Sequence, residues 1–200
     1  MATRSRLHQD QRRAQLLELG ARLFTVHAYD EVSVEDIAAA AGISKGLLYH
    51  YFPSKRELYV ATLKINAAGL VRAVEPDRNK RRLDRLQAGL DAFLDHVQAN
   101  VAGYASLLRG GIGSDPEVAA VVDDTRQSII AIIFDNMGVS DPNPALRLAL
   151  RGWLGFMEAA AVDWAQRGGV GRRRMRSMAI EVMQTAIAQA VQDTAGTDGM

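Results

Sequence analysis

Two hundred residues, 48% of them hydrophobic, with a formal net charge of +1, suffice for one compact unit or two small helical domains with a sizeable core. Cysteine is absent, which excludes disulfides and thiolate metal or redox chemistry and suits a reducing cytoplasm. No apolar run approaches a membrane span and the opening residues carry no signal-peptide core, so a cytoplasmic protein with no membrane partner is expected.

The charge is unevenly spread. Arg4, Arg6, Arg12, Arg13 and Arg22 outweigh Asp10 and Glu18 at the amino end. Such an arm either reaches phosphates or the minor groove, or is a solvated tail. A first helix is expected from about Gln9 to Val26, where Leu16, Leu19, Leu23 and Val26 have helical spacing. After an Ala-Tyr-Asp-Glu bend at 28–31, Ser33 to Phe52 reads as two short helices around a tight turn. Ser33 caps the first, with Asp36 where a capping box places its acid, and Gly42 supplies the backbone freedom to leave it. Ser44 caps the second, and Pro53 closes it. Helix, Gly-containing turn, helix is the arrangement of DNA readers whose second helix enters the major groove. Leu48 and Phe52 share the anchoring side, while Lys45 with Tyr49 and Gly46 with His50 form neighbouring rows. On geometry alone, a capped surface helix of any helical bundle remains the other reading.

The run Ala-Gly-Ile-Ser-Lys-Gly-Leu-Leu-Tyr-His-Tyr-Phe-Pro-Ser-Lys-Arg-Glu-Leu (41–58) resembles the amino-terminal domain of the TetR family of bacterial repressors. The likeness extends back through Arg13 to Ser33, with Ala28-Tyr29 where that family usually has a glycine. The resemblance implies a DNA-binding domain over residues 1–53, completed by the start of the helix from 54, and a ligand-binding and dimerisation domain over 54–200. It implies DNA contacts by Ser44, Lys45, Gly46, Tyr49, His50 and Tyr51, with Ser33 and Lys55 on phosphates. It further implies a homodimer that binds a palindromic operator, held through 144–191 and released when a ligand shifts the helix from Ser54 to about Val74.

Ser54-Lys55-Arg56-Glu57 is a second capping box, opening a helix that fades near Glu75-Pro76. Leu83, Leu86, Leu90, Leu94, Val97 and Val101 form a helical stripe, followed by a short helix from about Gly103 to Arg109 and a breaker at Gly110 to Gly113. A helix begins at Ser114-Asp115-Pro116-Glu117 and ends at Gly138, another runs from Asn143-Pro144 to about Arg167, and the last covers about Arg172 to Val191, with a fraying tail after Asp193. With no strand pattern, the fold is expected to be all-α, with about nine helices.

The Asn143–Arg167 helix has a bulky side, Trp153, Phe156, Met157, Ala160 and Trp164, and a small one, Gly152, Gly155, Ala159 and Val162. Arg147, Arg151 and Glu158 lie between them and are expected in water. Two apolar sides imply burial on both, with core on one and a second subunit on the other, or a monomer that closes both faces. Two stripes can enclose a pocket for a small hydrophobic ligand. Phe93, Val97, Tyr104 and Leu108 make one and Trp153, Phe156, Met157 and Trp164 the other, with Ile130 and Phe134 between. Tyr104, and His96 if it is not a structural histidine, can supply a directing hydrogen bond.

No cofactor, metal site or catalytic group is expected. His8, His27, His50 and His96 share no ligand spacing. Gly42 to Gly46 matches G-x-S-x-G, but a helical Ile37-Ala-Ala-Ala-Ala precedes it where a hydrolase needs a strand, so a hydrolase using Ser44 is the lesser alternative. A constitutive DNA-binding dimer without an effector is the other, and it predicts a filled core.

Overall fold

The computed structural model describes residues 2–108 and 111–196, without the side chains of 2–8, 111 and 192–196. The side chains of Arg4 and Arg6, residues 109 and 110 of the expected short helix and glycine run, and the last four residues of the tail lie outside the described residues. Among those described there are nine α-helices, two short 3-10 helices and no strand. The helices are α1 (Ala2–Val26), α2 (Val34–Ala40), α3 (Lys45–Tyr51), α4 (Lys55–Val74), α5 (Arg82–Ala99), α6 (Val101–Leu108), α7 (Pro116–Met137), α8 (Pro144–Arg167) and α9 (Arg172–Gly196). The 3-10 turns cover Tyr29–Glu31 and Gly111–Ser114. Helix α1 starts earlier than Gln9 and α9 runs beyond Val191.

Capping chemistry sets several of the ends. Ser33 and Asp36 form the reciprocal capping box of α2, Ser44 accepts the Leu47 amide at the start of α3, and Asn143 accepts the Leu146 amide ahead of Pro144. Gly42 ends α2 at φ +64°: its amide bonds Ala39 at 3.1 Å, and the Ile43 amide bonds Ala38 at 3.0 Å. A side chain there would strain the left-handed conformation this double closure needs.

The chain divides into two compact units. The first comprises Met1–Gly69 and Ala99–Val122. Leu16, Phe24, Ile37, Leu48, Phe52, Leu58 and Val118 share its core. A Cβ on Gly20 would stand 3.0 Å from Thr62 Cγ2, so the missing side chain lets α1 and α4 approach. The rings of Phe24, Tyr29 and Tyr59 pack edge and face within about 5–6 Å of one another, and burial pushes the Tyr59 phenol up to about 12. Val101, expected to extend the α5 stripe, instead opens α6. The break falls at Asn100, whose side chain pairs with Thr25 Oγ1 at 3.1 Å, and a Cβ on Gly103 would lie 3.2 Å from the Phe24 carbonyl.

The second unit comprises Leu70–Gln98 and Asp123–Met200. Leu94, Val97, Leu150, Met157, Met175 and Ala179 are among its most buried apolar residues. Leu83, expected on the core stripe of α5, is 53% exposed. Glu158 departs from expectation the other way. It is buried because Arg126 of α7 grips its carboxylate, Nε on Oε1 at 2.9 Å and Nη2 on Oε2 at 2.6 Å. Arg147 and Arg151 are exposed as expected, and Arg151 pairs with Asp123. Val162, placed on the small face of α8, is buried within the unit.

Candidate nucleic-acid interface and ligand cavity

Helix α3 is too short to persist alone. Leu48 and Phe52, 3% and 2% exposed, seat it in the first unit's core, and Arg13 lies over the Phe52 ring at 4.9 Å. That anchoring fixes which side faces out. Ser44, Lys45, Gly46, Tyr49 and His50 are all exposed, and Tyr51 is half-buried with its ring against His50. Lys45, Gly46, Tyr49 and His50 thus share one outward face, with Ser44 at its start, whereas Tyr51 packs in part against the first unit's core.

Several carry further constraints. Lys45 pairs with Glu35 across the α2–α3 turn. His50 is hydrogen-bonded to Gln9 of α1 at 3.2 Å. A Cβ on Gly46 would meet only Ser44 Oγ, at 3.9 Å, so nothing inside the protein requires glycine there. Ser33 donates to Asp36 from its hydroxyl and amide, which holds that carboxyl below its usual range. Leu47, which periodicity did not single out, is 40% exposed beside Gly46. Its signal was an apolar residue one step off the Leu48–Phe52 row.

Lys55, expected on a phosphate, is occupied elsewhere. Its ammonium donates to the carbonyls of Tyr29 and Val32, each at 3.0 Å, and lies 4.0 Å from the Tyr29 ring centre. It ties the bend before α2 to the start of α4. Ser44 accepts an amide and follows a helix, so the strand of a nucleophile elbow is missing. Among the described residues no three His, Asp or Glu cluster as a metal site would need.

The second unit holds a cavity of about 400 Å³. Its walls are Leu86, Leu90 and Phe93 of α5, Ile129, Ile132 and Ile133 of α7, Trp153, Leu154 and Met157 of α8, and Met183 of α9. Arg82, Arg85 and Asn136 supply its polar edge. Of the predicted ligand residues, Phe93, Trp153 and Met157 line it. Ile130, Phe134 and Phe156 lie one position round their helices from the lining rows, and His96, whose imidazole burial pushes down, is also outside it. Tyr104 and Leu108 fall in the first unit because the chain turns at Asn100, and Leu108 is 44% exposed. The Trp153 indole N–H is spent on the Ala179 carbonyl at 2.9 Å.

Two family models match the chain. "Bacterial regulatory proteins, tetR family" matches residues 16–62, and "Tetracyclin repressor-like, C-terminal domain" matches residues 83–193. The transcriptional activator FasR of Mycolicibacterium smegmatis is 33% identical over 66% of this chain and 61% of its own length. The transcriptional repressor KstR2 of Mycobacterium tuberculosis is 33% identical over 58% of this chain and 60% of its own. The chain thus spans about three fifths of the length of these curated relatives. A crystal structure of a tetR-family transcriptional regulator from Streptomyces coelicolor superposes with a TM-score of 0.86, at 30% identity, covering 92% of this chain and 83% of that one. These relatives are regulators by name and not enzymes. Head and remainder are matched independently, over residues that build the exposed α3 and most of the cavity wall, and the chain belongs to the TetR family of bacterial regulatory proteins.

Proposed function

We propose that the protein is a cytoplasmic, homodimeric transcription regulator that binds a palindromic operator through α3 and is released by a small, largely hydrophobic effector, acting as a repressor. The observation that carries the reading is the outward face of α3, where Lys45, Tyr49 and His50 surround a glycine that the protein's own packing does not need. A dimer would present two such helices to half-sites about 34–36 Å apart. Support for dimerisation comes from α8, where Gly152, Gly155 and Ala159 are exposed and Leu148 is 73% exposed. A Cβ on either glycine would meet nothing within 4 Å, so their cost to the helix has no cause inside one protomer.

The cavity favours an effector over the constitutive binder, which called for a filled core. Helices α4 and α7 contribute residues to both units, and both reach the cavity wall, at Val74 and Ile129. An effector acts only to the extent that it prefers one arrangement of these helices. Among the described residues no helix is long and apolar enough to cross a membrane. Selection of bound fragments from genomic DNA, followed by gel shifts with the recovered site, tests the reading. A single inverted repeat bound by a dimer is expected, and retention of fragments without any shared sequence would overturn it.

A further inference from the structure

We propose that the cavity takes a molecule with an apolar chain and an anionic head, the head seated on Arg85 with Arg82 and Asn136 beside it. The inference rests on the effector reading above and names the chemistry of that effector.

The walls are almost wholly apolar, which selects a chain but gives it no orientation. The polar edge is different. Arg82 and Arg85 both line it, and neither meets a carboxylate among the described residues. Their neighbours are matched: Arg81 by Asp84 at 2.8 Å and Arg78 by Asp135 at 3.0 Å. Moreover, Arg85 Nε and Asn136 Oδ1 are both enclosed and lack any hydrogen-bond partner. An enclosed polar atom left unpaired carries its full desolvation cost, and native structures rarely leave one so.

The nature of the orphan donor narrows the partner. A guanidinium cannot relieve its burial by losing a proton, as lysine or histidine can. It needs an acceptor, and its planar fork fits the paired oxygens of a carboxylate or phosphate. An uncharged apolar ligand would fill the volume and leave Arg85 Nε as it is. Asn136 lies at the same edge, its amide nitrogen 3.5 Å from the Arg82 carbonyl. An amide can present either its oxygen or its NH2, so it can meet a protonated or an ionised head oxygen.

The test uses the whole 200-residue chain at neutral pH with three probes of equal chain length, decanoate, decyl phosphate and decanol. Binding is read from tryptophan fluorescence, since Trp153 stands in the wall, and from the melting temperature. At least one anion should bind about tenfold or more tighter than decanol, and the tighter of the two identifies the head as carboxylate or phosphate. Arg85→Gln should abolish this preference while leaving decanol binding in place. Equal binding of decanol and both anions would overturn the inference yet leave an apolar effector site standing, and that comparison needs no variant. A preference that survives Arg85→Gln would remove Arg85 from the site. If none of the three probes binds, the effector reading falls together with the inference.

Discussion

The guanidinium of Arg56 grips both oxygens of Asp115, Nε on Oδ2 at 2.6 Å and Nη2 on Oδ1 at 2.7 Å. Asp115 Oδ1 also accepts the amides of Glu117 at 3.0 Å and Val118 at 3.3 Å, so one carboxylate caps α7 and holds α4. The Arg56 hydrogen bonds, aided by those amides, push the Asp115 carboxyl down to about 2 from an ordinary 3.8. An acid depressed on folding stabilises the protein above its unfolded value and loses that contribution as pH falls. Asp115→Asn should therefore be less stable than the wild type at neutral pH, with the two denaturation midpoints converging between pH 3.8 and about 2. A gap that stayed constant down to pH 2 would show that ionisation of Asp115 is not what the pair uses.

Gly46→Ala should move two measurements in opposite directions. A glycine in a helix interior costs roughly 0.5–1 kcal/mol relative to alanine, which is an upper bound for Gly46 in the first turn of α3, and a methyl at this position meets only Ser44 Oγ, at 3.9 Å. The variant should melt higher. It should also bind operator less tightly, because the methyl would stand where the groove approaches. A gain in melting temperature with unchanged affinity would leave Gly46 outside the interface.

Lys45 and Lys55 separate by salt titration. Lys45 is exposed and its pair with Glu35 is a surface one, worth little to stability. Lys45→Ala should lower the slope of log affinity against log salt by about one and leave melting unchanged. Lys55→Ala should leave the slope alone and lower the melting temperature, since two carbonyls and the Tyr29 ring lose their cation. The reverse pattern would return Lys55 to the phosphates.

Ala159→Arg probes dimerisation. Ala159 is exposed within one protomer, so an arginine there is tolerated by a monomer. In a packed interface it would be a buried, unpaired charge, costing on the order of 3–5 kcal/mol by analogy with a broken buried pair. Sedimentation should show a helical monomer for the variant and a dimer for the wild type. A wild type that sediments as a monomer at micromolar concentration would exclude the dimer.

Features that depend on a few adjacent residues were legible from the chain alone. Ser33, Ser44 and Asn143 cap the helices assigned to them, and Gly42 and Gly138 end α2 and α7 with positive φ. The outward row of α3 was legible for the same reason, since two anchors four residues apart define its inner side. What failed depends on distant partners. Glu158 reads as a solvent residue until Arg126, 32 positions away, is seen against it. Lys55 reads as a phosphate ligand until the carbonyls of Tyr29 and Val32, 26 and 23 positions away, are found to hold it. The cavity was misjudged on α7 because that helix carries several apolar rows. Periodicity finds the rows, but not which one faces the space between neighbours.

Val118 is fully buried in the same cluster as Leu48 and Phe52, with Leu107 and Ile112 packed against it. The first unit is therefore finished only when the chain has been made through Val122, well after Gly69. At about 5–20 residues per second of synthesis, the wait is roughly 3–10 s. During that interval the nascent helix-turn-helix has emerged with its core open on one side. A fragment ending at Gly69 would carry every residue of the recognition face and still expose the apolar surface that Val118 covers, so such a fragment should aggregate or stay loosely packed, however well its sequence matches a DNA reader.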